Sequence, residues 1–165
     1  MSRMPHSRHW PARPQRGFTL VEMAVVVMIL GLLVALALPG YRKINIKAQA
    51  TAATNDLRTF ATAFGNANLQ NSGWPTDTGV PGMIPPEMVN ALSLTFTKNT
   101  PIGGKYLWIS NSTTKAAVAI TTDGSSVMSS DVELLEMVDR LLDDGDLSTG
   151  NLQQVGPALV YVIEK

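Results

Sequence analysis

The hydrophobic pattern of this chain is dominated by one long apolar run near its start. From Phe18 to Leu38 the sequence reads FTLVEMAVVVMILGLLVALAL, and Glu22 is the only charged residue in these 21 positions. An apolar run of this length crosses a bilayer core of about 30 Å at about 1.5 Å per residue of helix. We therefore predict a transmembrane helix at 18–39, where Pro39 ends the run.

Beyond this run, hydrophobic residues recur at spacings that alternate between four and three. The recurring positions are Ile46, Ala50, Ala53, Leu57, Phe60, Phe64 and Ala67. Such spacing places them on one face of a helix, with most charged and polar residues off that face. The pattern predicts that the long helix continues through 40–71 as an amphipathic helix and packs its apolar stripe on the rest of the chain. Asn71, Gly73 and Pro75 predict its end.

The rest of the chain has the pattern of a small mixed domain. Prolines and glycines punctuate 72–104, which predicts a long structured loop with one helical turn at 86–92. Two runs rich in aromatic and small or β-branched residues, Tyr106–Ser110 and Ala116–Thr121, predict a hairpin. A further run, Ala158–Ile163, predicts a last, buried strand.

A second helix is predicted between the hairpin and the last strand. Ser130 or Asp131 caps this helix, which runs to about Leu142. Its predicted apolar face consists of Val132, Leu135, Val138, Leu141 and Leu142. The predicted fold class is therefore α+β: a long N-terminal helix packed on a small antiparallel sheet of two or three strands, with a short C-terminal helix and a globular head at 72–165.

Charge is distributed unevenly, although the formal net charge is zero. The residues after Gly17 carry nine basic and thirteen acidic side chains, whereas those before it carry four arginines and no acid. These arginines are Arg3, Arg8, Arg13 and Arg16. Because a basic segment before an apolar run stays in the cytoplasm, residues 1–17 are predicted to be a basic leader and the head to be exported. No nucleic-acid partner is expected, since only the leader is basic.

Glu22 argues against an ordinary secretory signal. Such a signal has a shorter apolar region followed by small residues at a cleavage site, and Ala35-Leu36-Ala37 has that appearance. A carboxylate in hydrocarbon costs about 3 kcal/mol, however, and no lysine or arginine within the run offsets it. A buried charge persists when it is paired, so Glu22 predicts a partner from outside the run. A generic single-span anchor is the other alternative.

The segment Arg16-Gly17-Phe18-Thr19-Leu20-Val21-Glu22 resembles the processing motif of type IV prepilins and type II secretion pseudopilins. The resemblance implies that a prepilin peptidase cuts between Gly17 and Phe18 and N-methylates Phe18, and that the apolar helix is kept. It also implies that the Glu22 carboxylate meets the N-terminal amine of a neighbouring subunit, so that Glu22 and Phe18 act in assembly. Pro39 lies where pilins commonly carry a proline.

The long helix is predicted to be weakest from Gly31 to Pro39. Proline lacks the amide that would bond the carbonyl of Ala35 and costs about 3 kcal/mol inside a helix, and Gly31 costs about 1 kcal/mol relative to alanine. In a monomer in lipid this helix is expected to persist with a kink, because lipid leaves unpaired backbone groups unsatisfied. In a packed filament the segment is expected to extend, as the resemblance implies.

The resemblance is looser beyond the first third of the chain. Residues 68–75 are similar to the helix-end segment of the major pseudopilins, and 100–106 lie where those proteins carry a proline-led turn into the first strand. The helix predicted at 131–142 departs from the simplest pilin pattern, and the chain has no cysteine, so it lacks the C-terminal cysteine pair of many adhesive type IV pilins. Both departures favour a pseudopilin.

The family resemblance also implies partners and a location. The implied partners are identical or related pilin-like subunits, the prepilin peptidase, an inner-membrane assembly platform and the lipid bilayer. Before assembly the chain is expected to be a single-pass inner-membrane protein with its head in the periplasm. The assembled filament is expected in the periplasm or at the cell surface.

One acidic turn is a candidate calcium site. Asp143, Asp144 and Asp146 surround Gly145, and calcium binds six to eight oxygen ligands. The resemblance supports this reading, since major pseudopilins have a calcium site near the C-terminus, but the spacing lacks the EF-hand pattern. A solvated acidic turn is the alternative, and it predicts no cofactor.

No enzymatic signature is present in the sequence. The two histidines, His6 and His9, lie in the predicted leader, so the mature chain has neither histidine nor cysteine for nucleophilic catalysis or a zinc site. We therefore predict a non-enzymatic protein. The functions that remain are a type II secretion pseudopilin, a type IV pilus subunit for adhesion, motility or DNA uptake, and a membrane-anchored periplasmic binding domain that does not polymerise.

Overall fold

The computed structural model describes residues 17–111 and 114–164. Within these ranges two α-helices and four strands follow one another along the chain. They are α1 (Leu20–Asn71), β1 (Lys105–Ile109), β2 (Ala116–Thr121), α2 (Val132–Leu142), β3 (Leu152–Val155) and β4 (Ala158–Glu164). The predicted leader, except for Gly17, lies outside the described residues, as do its four arginines and two histidines.

The chain divides into two compact units, with the boundary between Gly40 and Tyr41. The first unit contains the N-terminal part of α1, and none of its apolar window is buried by the protein. Met28 and Leu36, for example, are 78% and 71% exposed. By length and composition this part of α1 is suited to cross a membrane. The helix is unbroken at Gly31 and Pro39 in the isolated chain.

The second unit is built on the C-terminal part of α1. All seven positions of the predicted apolar stripe are buried there, together with Thr54, and α1 ends at Asn71 as predicted. The stripe faces one side of the sheet through aromatic residues. Phe64 stacks on Trp108 with 3.8 Å between ring centroids, and Phe60 contacts Tyr106 edge-on at 4.8 Å. These contacts fix the sheet against the helix.

The sheet is antiparallel throughout, with strand order β1-β2-β4-β3. Helix α2 begins at the predicted cap, where the Asp131 carboxylate accepts a hydrogen bond from the Glu133 amide at 3.1 Å. Side chains of α1 hold both ends of α2. Arg42 pairs with Asp131 at 3.2 Å, and Arg58 donates to the Leu141 carbonyl at 2.5 Å.

The predicted α+β class is confirmed, but the predicted sheet lacked one strand. The missed strand, β3, carries two glutamines and buries only Leu152, so it has no alternating apolar pattern. Strand β4 was predicted to be buried, which is wrong: only Leu159 is fully buried. An antiparallel sheet packs one face on the core and leaves the other partly solvated, which explains this half-exposure.

Two helical details also differ from the prediction. Val132 is 56% exposed rather than part of the apolar face of α2, because the buried face is formed by residues 134, 135, 138 and 139. The turn predicted at 86–92 is a 3₁₀ turn at Pro86–Met88 with a further Leu92-to-Met88 backbone bond, and a second 3₁₀ turn follows at Leu94–Thr97.

Candidate assembly and cation sites

The start of α1 is closed by a reciprocal set of hydrogen bonds between Thr19 and Glu22. The Glu22 carboxylate accepts from the Thr19 amide and from the Thr19 hydroxyl, both at 2.8 Å, through its Oε2 atom. The Thr19 hydroxyl accepts in turn from the Glu22 amide at 3.2 Å. This is a capping box, which satisfies two backbone donors that a helix N-terminus otherwise leaves unpaired.

This geometry leaves the second carboxylate oxygen of Glu22 available. Oε1 accepts no hydrogen bond from the described residues, and the adjacent Phe18 is 79% exposed. The box also reduces the cost of a carboxylate in an apolar setting, since one oxygen is already bonded and lies at the positive end of the helix dipole. The arrangement therefore holds a negative charge in a fixed direction and can accept one further donor.

The role of Thr19 was missed by the sequence reasoning. A readable signal was present, because Thr19-Leu20-Val21-Glu22 has the Ser/Thr-x-x-Glu spacing of a capping box before an apolar run. The charge of Glu22 indicates a partner from outside the run, but it gives no indication of the hydroxyl three residues earlier.

The acidic turn lies at the C-terminal end of α2. Carboxylate oxygens of Asp139, Asp143 and Asp144 all lie within 4.8 Å of one another. Two of the predicted calcium residues thus come together, whereas Asp146 is not in the group. The Asp146 carboxylate is instead occupied by Ser148, accepting from its hydroxyl at 2.6 Å and from its amide at 3.0 Å.

Asp139 was not predicted, and it is the unusual member of this group. Its side chain is completely buried, and neither carboxylate oxygen has a partner with hydrogen-bond geometry among the described residues, although the Gly145 amide lies close enough to lower its pKa slightly. Burial and the charges of Asp144 and Asp143 raise the pKa of Asp139 to about 6. The sequence signal was an acid four residues before Asp143, directly beside the buried position Val138.

The other two carboxylates are held by the loop that follows α2. The Asp143 carboxylate accepts from the Asn151 amide, and the Asp144 carboxylate accepts from the Thr149 hydroxyl at 2.8 Å. Gly150 is in the left-handed region, with φ 72°, and a Cβ atom there would collide with the Asp143 carboxylate. Only glycine therefore allows the loop to approach these two acids so closely.

The electrostatics of the group favour a cation. In the described part of the chain no basic side chain lies within ion-pair distance of the three acids. They also lie at the C-terminus of α2, where the helix dipole opposes negative charge. Their spacing suits oxygens that share a calcium ion, whose bonds to oxygen are about 2.3–2.6 Å long. The three residues could therefore hold a divalent cation.

Comparison with known proteins yields a match to a family model and partial matches to several relatives. The model of the prokaryotic N-terminal methylation motif matches residues 12–38. A fimbrial protein of Pseudomonas aeruginosa is 37% identical over 71 residues, which cover 40% of this chain and 46% of that protein. The type II secretion system core protein G of the same species is 38% identical over 73 residues, covering 44% of this chain and 51% of that protein.

Two further matches extend beyond the N-terminal part. A fimbrial protein of Neisseria meningitidis is 28% identical over 119 residues, covering 72% of this chain and 61% of that protein. In the curated relatives described here, the matched part spans about half of their length. Among solved structures, the major type IV pilin of Clostridium difficile matches with a TM-score of 0.55 and 18% identity, covering 74% of this chain and 98% of that chain. At this identity the match shows the fold.

Proposed function

We propose that this chain is a pseudopilin of the type IV pilin and type II secretion pseudopilin family, that is, a structural subunit of a type II secretion filament without catalytic activity. The match to the N-terminal methylation motif, the partial matches to a fimbrial protein and to a core protein G, and the pilin fold support this proposal. The observation that carries the proposal is the uncovered first unit. Its apolar side chains form one continuous stretch of helix and are exposed to the surroundings. Such a surface requires an apolar environment. Lipid covers them before assembly, and other subunits cover them afterwards.

Processing by the prepilin peptidase precedes assembly. Cleavage between Gly17 and Phe18 removes the basic leader and creates an amine on Phe18, next to the capping box. The free Oε1 atom of Glu22 then accepts from the amine of a neighbouring subunit. The Phe18 amine of the same subunit lies within about one helical turn, so pairing within one subunit competes with pairing between subunits.

Assembly joins identical subunits head to tail through two different, complementary surfaces, and such a heterologous, non-closing contact generates a helical filament. Packing of the apolar helices contributes association energy but little register, because lipid is as apolar as the helix surface. The pair of Glu22 and the Phe18 amine is directional and lies in a medium of low dielectric constant. It therefore sets the register, while the inner-membrane assembly platform supplies the subunits in order.

The secretion filament is favoured over a surface pilus by the acidic loop and by the absence of cysteine from the chain. A type IV pilus subunit is the second candidate, favoured by the matches to the fimbrial proteins and to the major type IV pilin. A membrane-anchored domain that never polymerises is the candidate of another class.

Deleting the gene separates these candidates. If the chain is a secretion pseudopilin, secreted proteins should accumulate in the periplasm of the deletion strain, while surface pili remain. Loss of surface pili with normal secretion would favour the pilus subunit instead. Retention of both filaments and secretion would contradict both filament proposals and favour the non-polymerising anchor.

We further propose that calcium binds between Asp139, Asp143 and Asp144. The bound ion would supply positive charge to three acids that otherwise repel one another at the end of α2. Asp139 provides the buried ligand, and the loop around Gly150 holds Asp143 and Asp144 against it.

Calcium should therefore stabilise the head. At a hundredfold excess over the dissociation constant, the free energy of unfolding should rise by about 2.7 kcal/mol, which thermal unfolding with and without a chelator would measure. Asp139→Asn should remove this gain, because it removes the buried charge without changing the shape of the side chain. Asp146→Asn is the matched control and should keep it. If calcium stabilises the Asp139→Asn variant as much as the parent chain, the cation site is wrong.

The filament should also differ from the isolated chain between Gly31 and Pro39. Pro39 leaves the Ala35 carbonyl without its helical partner, and packing against neighbouring helices can replace the lost helical bonds. We expect a cryo-electron microscopy map of the filament to show extended backbone in this segment. Continuous helical density from Phe18 through Asn71 would refute this expectation.

A further inference from the structure

The exported end of the membrane span carries an unusual concentration of positive charge. Arg42, Lys43 and Lys47 follow the apolar run within nine residues of Leu38, and no acid occurs between Glu22 and Asp56. Basic residues next to a span normally lie on the cytoplasmic side. Once the leader is removed, however, the cytoplasmic end keeps only the Phe18 amine. These three cations therefore lie next to the membrane surface on the exported side.

Arg42 has its partner within the protein. Its guanidinium lies 3.2 Å from the Asp131 carboxylate and 3.5 Å from that of Glu133, at the N-terminal end of α2. This ion pair brings α2 next to the first exported turn of α1. One guanidinium faces both carboxylates, so Arg42 is fully paired within the head and is not free to bind an anionic lipid.

Lys43 and Lys47 have no such partner. They are four residues apart, which places them on the same side of α1. Both are exposed, and in the described ranges no carboxylate lies within ion-pair distance of either. A pair of exposed lysines close to a membrane surface is attracted to anionic headgroups by about 1 kcal/mol per lysine.

The distance along the helix also suits a membrane interface. Lys43 and Lys47 follow Leu38 by five and nine residues, which is at most about 8 Å and 14 Å of helical rise. The headgroup layer extends about 5–8 Å beyond the hydrocarbon core. A lysine side chain can extend its ammonium group back towards that layer. Both ammonium groups thus come within about one Debye length, 8–10 Å, of lipid phosphates.

We propose that Lys43 and Lys47 form a basic surface of α1 that binds the anionic phospholipid headgroups of the exported leaflet. This inference rests on the proposed orientation of the chain, with its head on the exported side. The contact fixes how deep α1 lies in the bilayer. It thereby fixes the depth at which the Glu22 carboxylate meets the Phe18 amine of a neighbouring subunit. It is broken when the subunit leaves the membrane for the filament.

Lipid selectivity measures this contact directly. The processed full-length chain is reconstituted in phosphatidylcholine vesicles that contain traces of spin-labelled phosphatidylglycerol or phosphatidylcholine. The ratio of the two association constants comes from the motionally restricted fraction of each lipid. We expect phosphatidylglycerol to be preferred, and Lys43→Gln with Lys47→Gln to lower this preference by about fivefold per lysine. Added salt should lower it as well.

Lys98→Gln is the matched control, since Lys98 is an exposed lysine of the head without an ion pair in the described residues. It should leave the preference unchanged. An equal preference in the double variant and the parent chain would overturn the inference. So would a loss of crosslinks between subunits in the double variant without a change in lipid preference, because the lysines would then bind a second copy. A chain that does not float with the vesicles would contradict the membrane anchoring of the proposed function as well.

Discussion

Subunits with Glu22→Ala should be processed normally, accumulate in the inner membrane and form no filaments. The substitution removes the charge whose desolvation costs about 3 kcal/mol in the membrane, so the monomer itself should be stable. It also removes one partner of a buried ion pair, a loss of about 3–5 kcal/mol per contact. Since about 1.4 kcal/mol corresponds to a factor of ten, each subunit contact should weaken by a hundredfold or more.

The structure allows the charge of Glu22 to be separated from its role in the capping box. Glutamine fits the same box position, because its amide oxygen accepts from the Thr19 amide and hydroxyl. Glu22→Gln therefore keeps the start of α1 and removes only the charge, and we expect it to fail in assembly like the alanine variant. Thr19→Val is the complementary variant, which loses the hydroxyl but keeps the charge and should still assemble. Glu22→Asp should be intermediate.

Crosslinking and electron microscopy of cells at ordinary expression levels would measure these outcomes. Normal filaments from Glu22→Ala would show that the carboxylate does not set the register. Normal filaments from Glu22→Gln together with none from Thr19→Val would indicate that the capping box, and not the charge, is what assembly requires.

Processing should depend on the residue before the new N-terminus. We expect N-terminal mass spectrometry to find a chain that starts with N-methylated Phe18. Gly17→Phe should block cleavage, because the family resemblance implies a peptidase site shaped for a residue without a bulky side chain, and the uncut leader would leave no amine to pair with Glu22. The variant should therefore stay in the membrane at full length and form no filaments.

Gly17→Ala is the matched control and should still be cut. No atom of the described chain lies within 4 Å of a Cβ added at Gly17, so neither change should disturb the folded protein itself. A chain that still begins at Met1 when the peptidase is present, or that begins after Ala37, would contradict the proposed processing. Cleavage after Ala37 would in addition support an ordinary secretory signal.

The long helix could be predicted from the sequence because its packing follows one simple period. The stripe from Ile46 to Ala67 is buried at every predicted position, since a helix that packs one face on a sheet repeats apolar residues at spacings of three and four. The hairpin of β1 and β2 was predicted for a similar reason. Strand β2 matches its predicted bounds, because every residue from Ala116 to Ile120 is buried.

The elements that the sequence did not reveal are stabilised by contacts distant in sequence or by polar groups. Strand β3 is placed by its backbone pairing with β4, and its glutamines carry no apolar pattern. In the sequence, Asp139 resembles any other acidic residue of a helix. Its burial without a hydrogen-bond partner follows from the packing of the folded core. The partner of Glu22 from outside the chain stays a prediction. Its partner within the chain, Thr19, was identified only from the geometry of the helix start.

The central claim, that this chain polymerises, is tested most directly by negative-stain electron microscopy of cells that express it with its peptidase and assembly ATPase. We predict filaments that bind antibodies against the head and that disappear when the peptidase is removed. The contradicting result is a processed protein that stays in the membrane without filaments, in cells where another subunit of this family assembles normally.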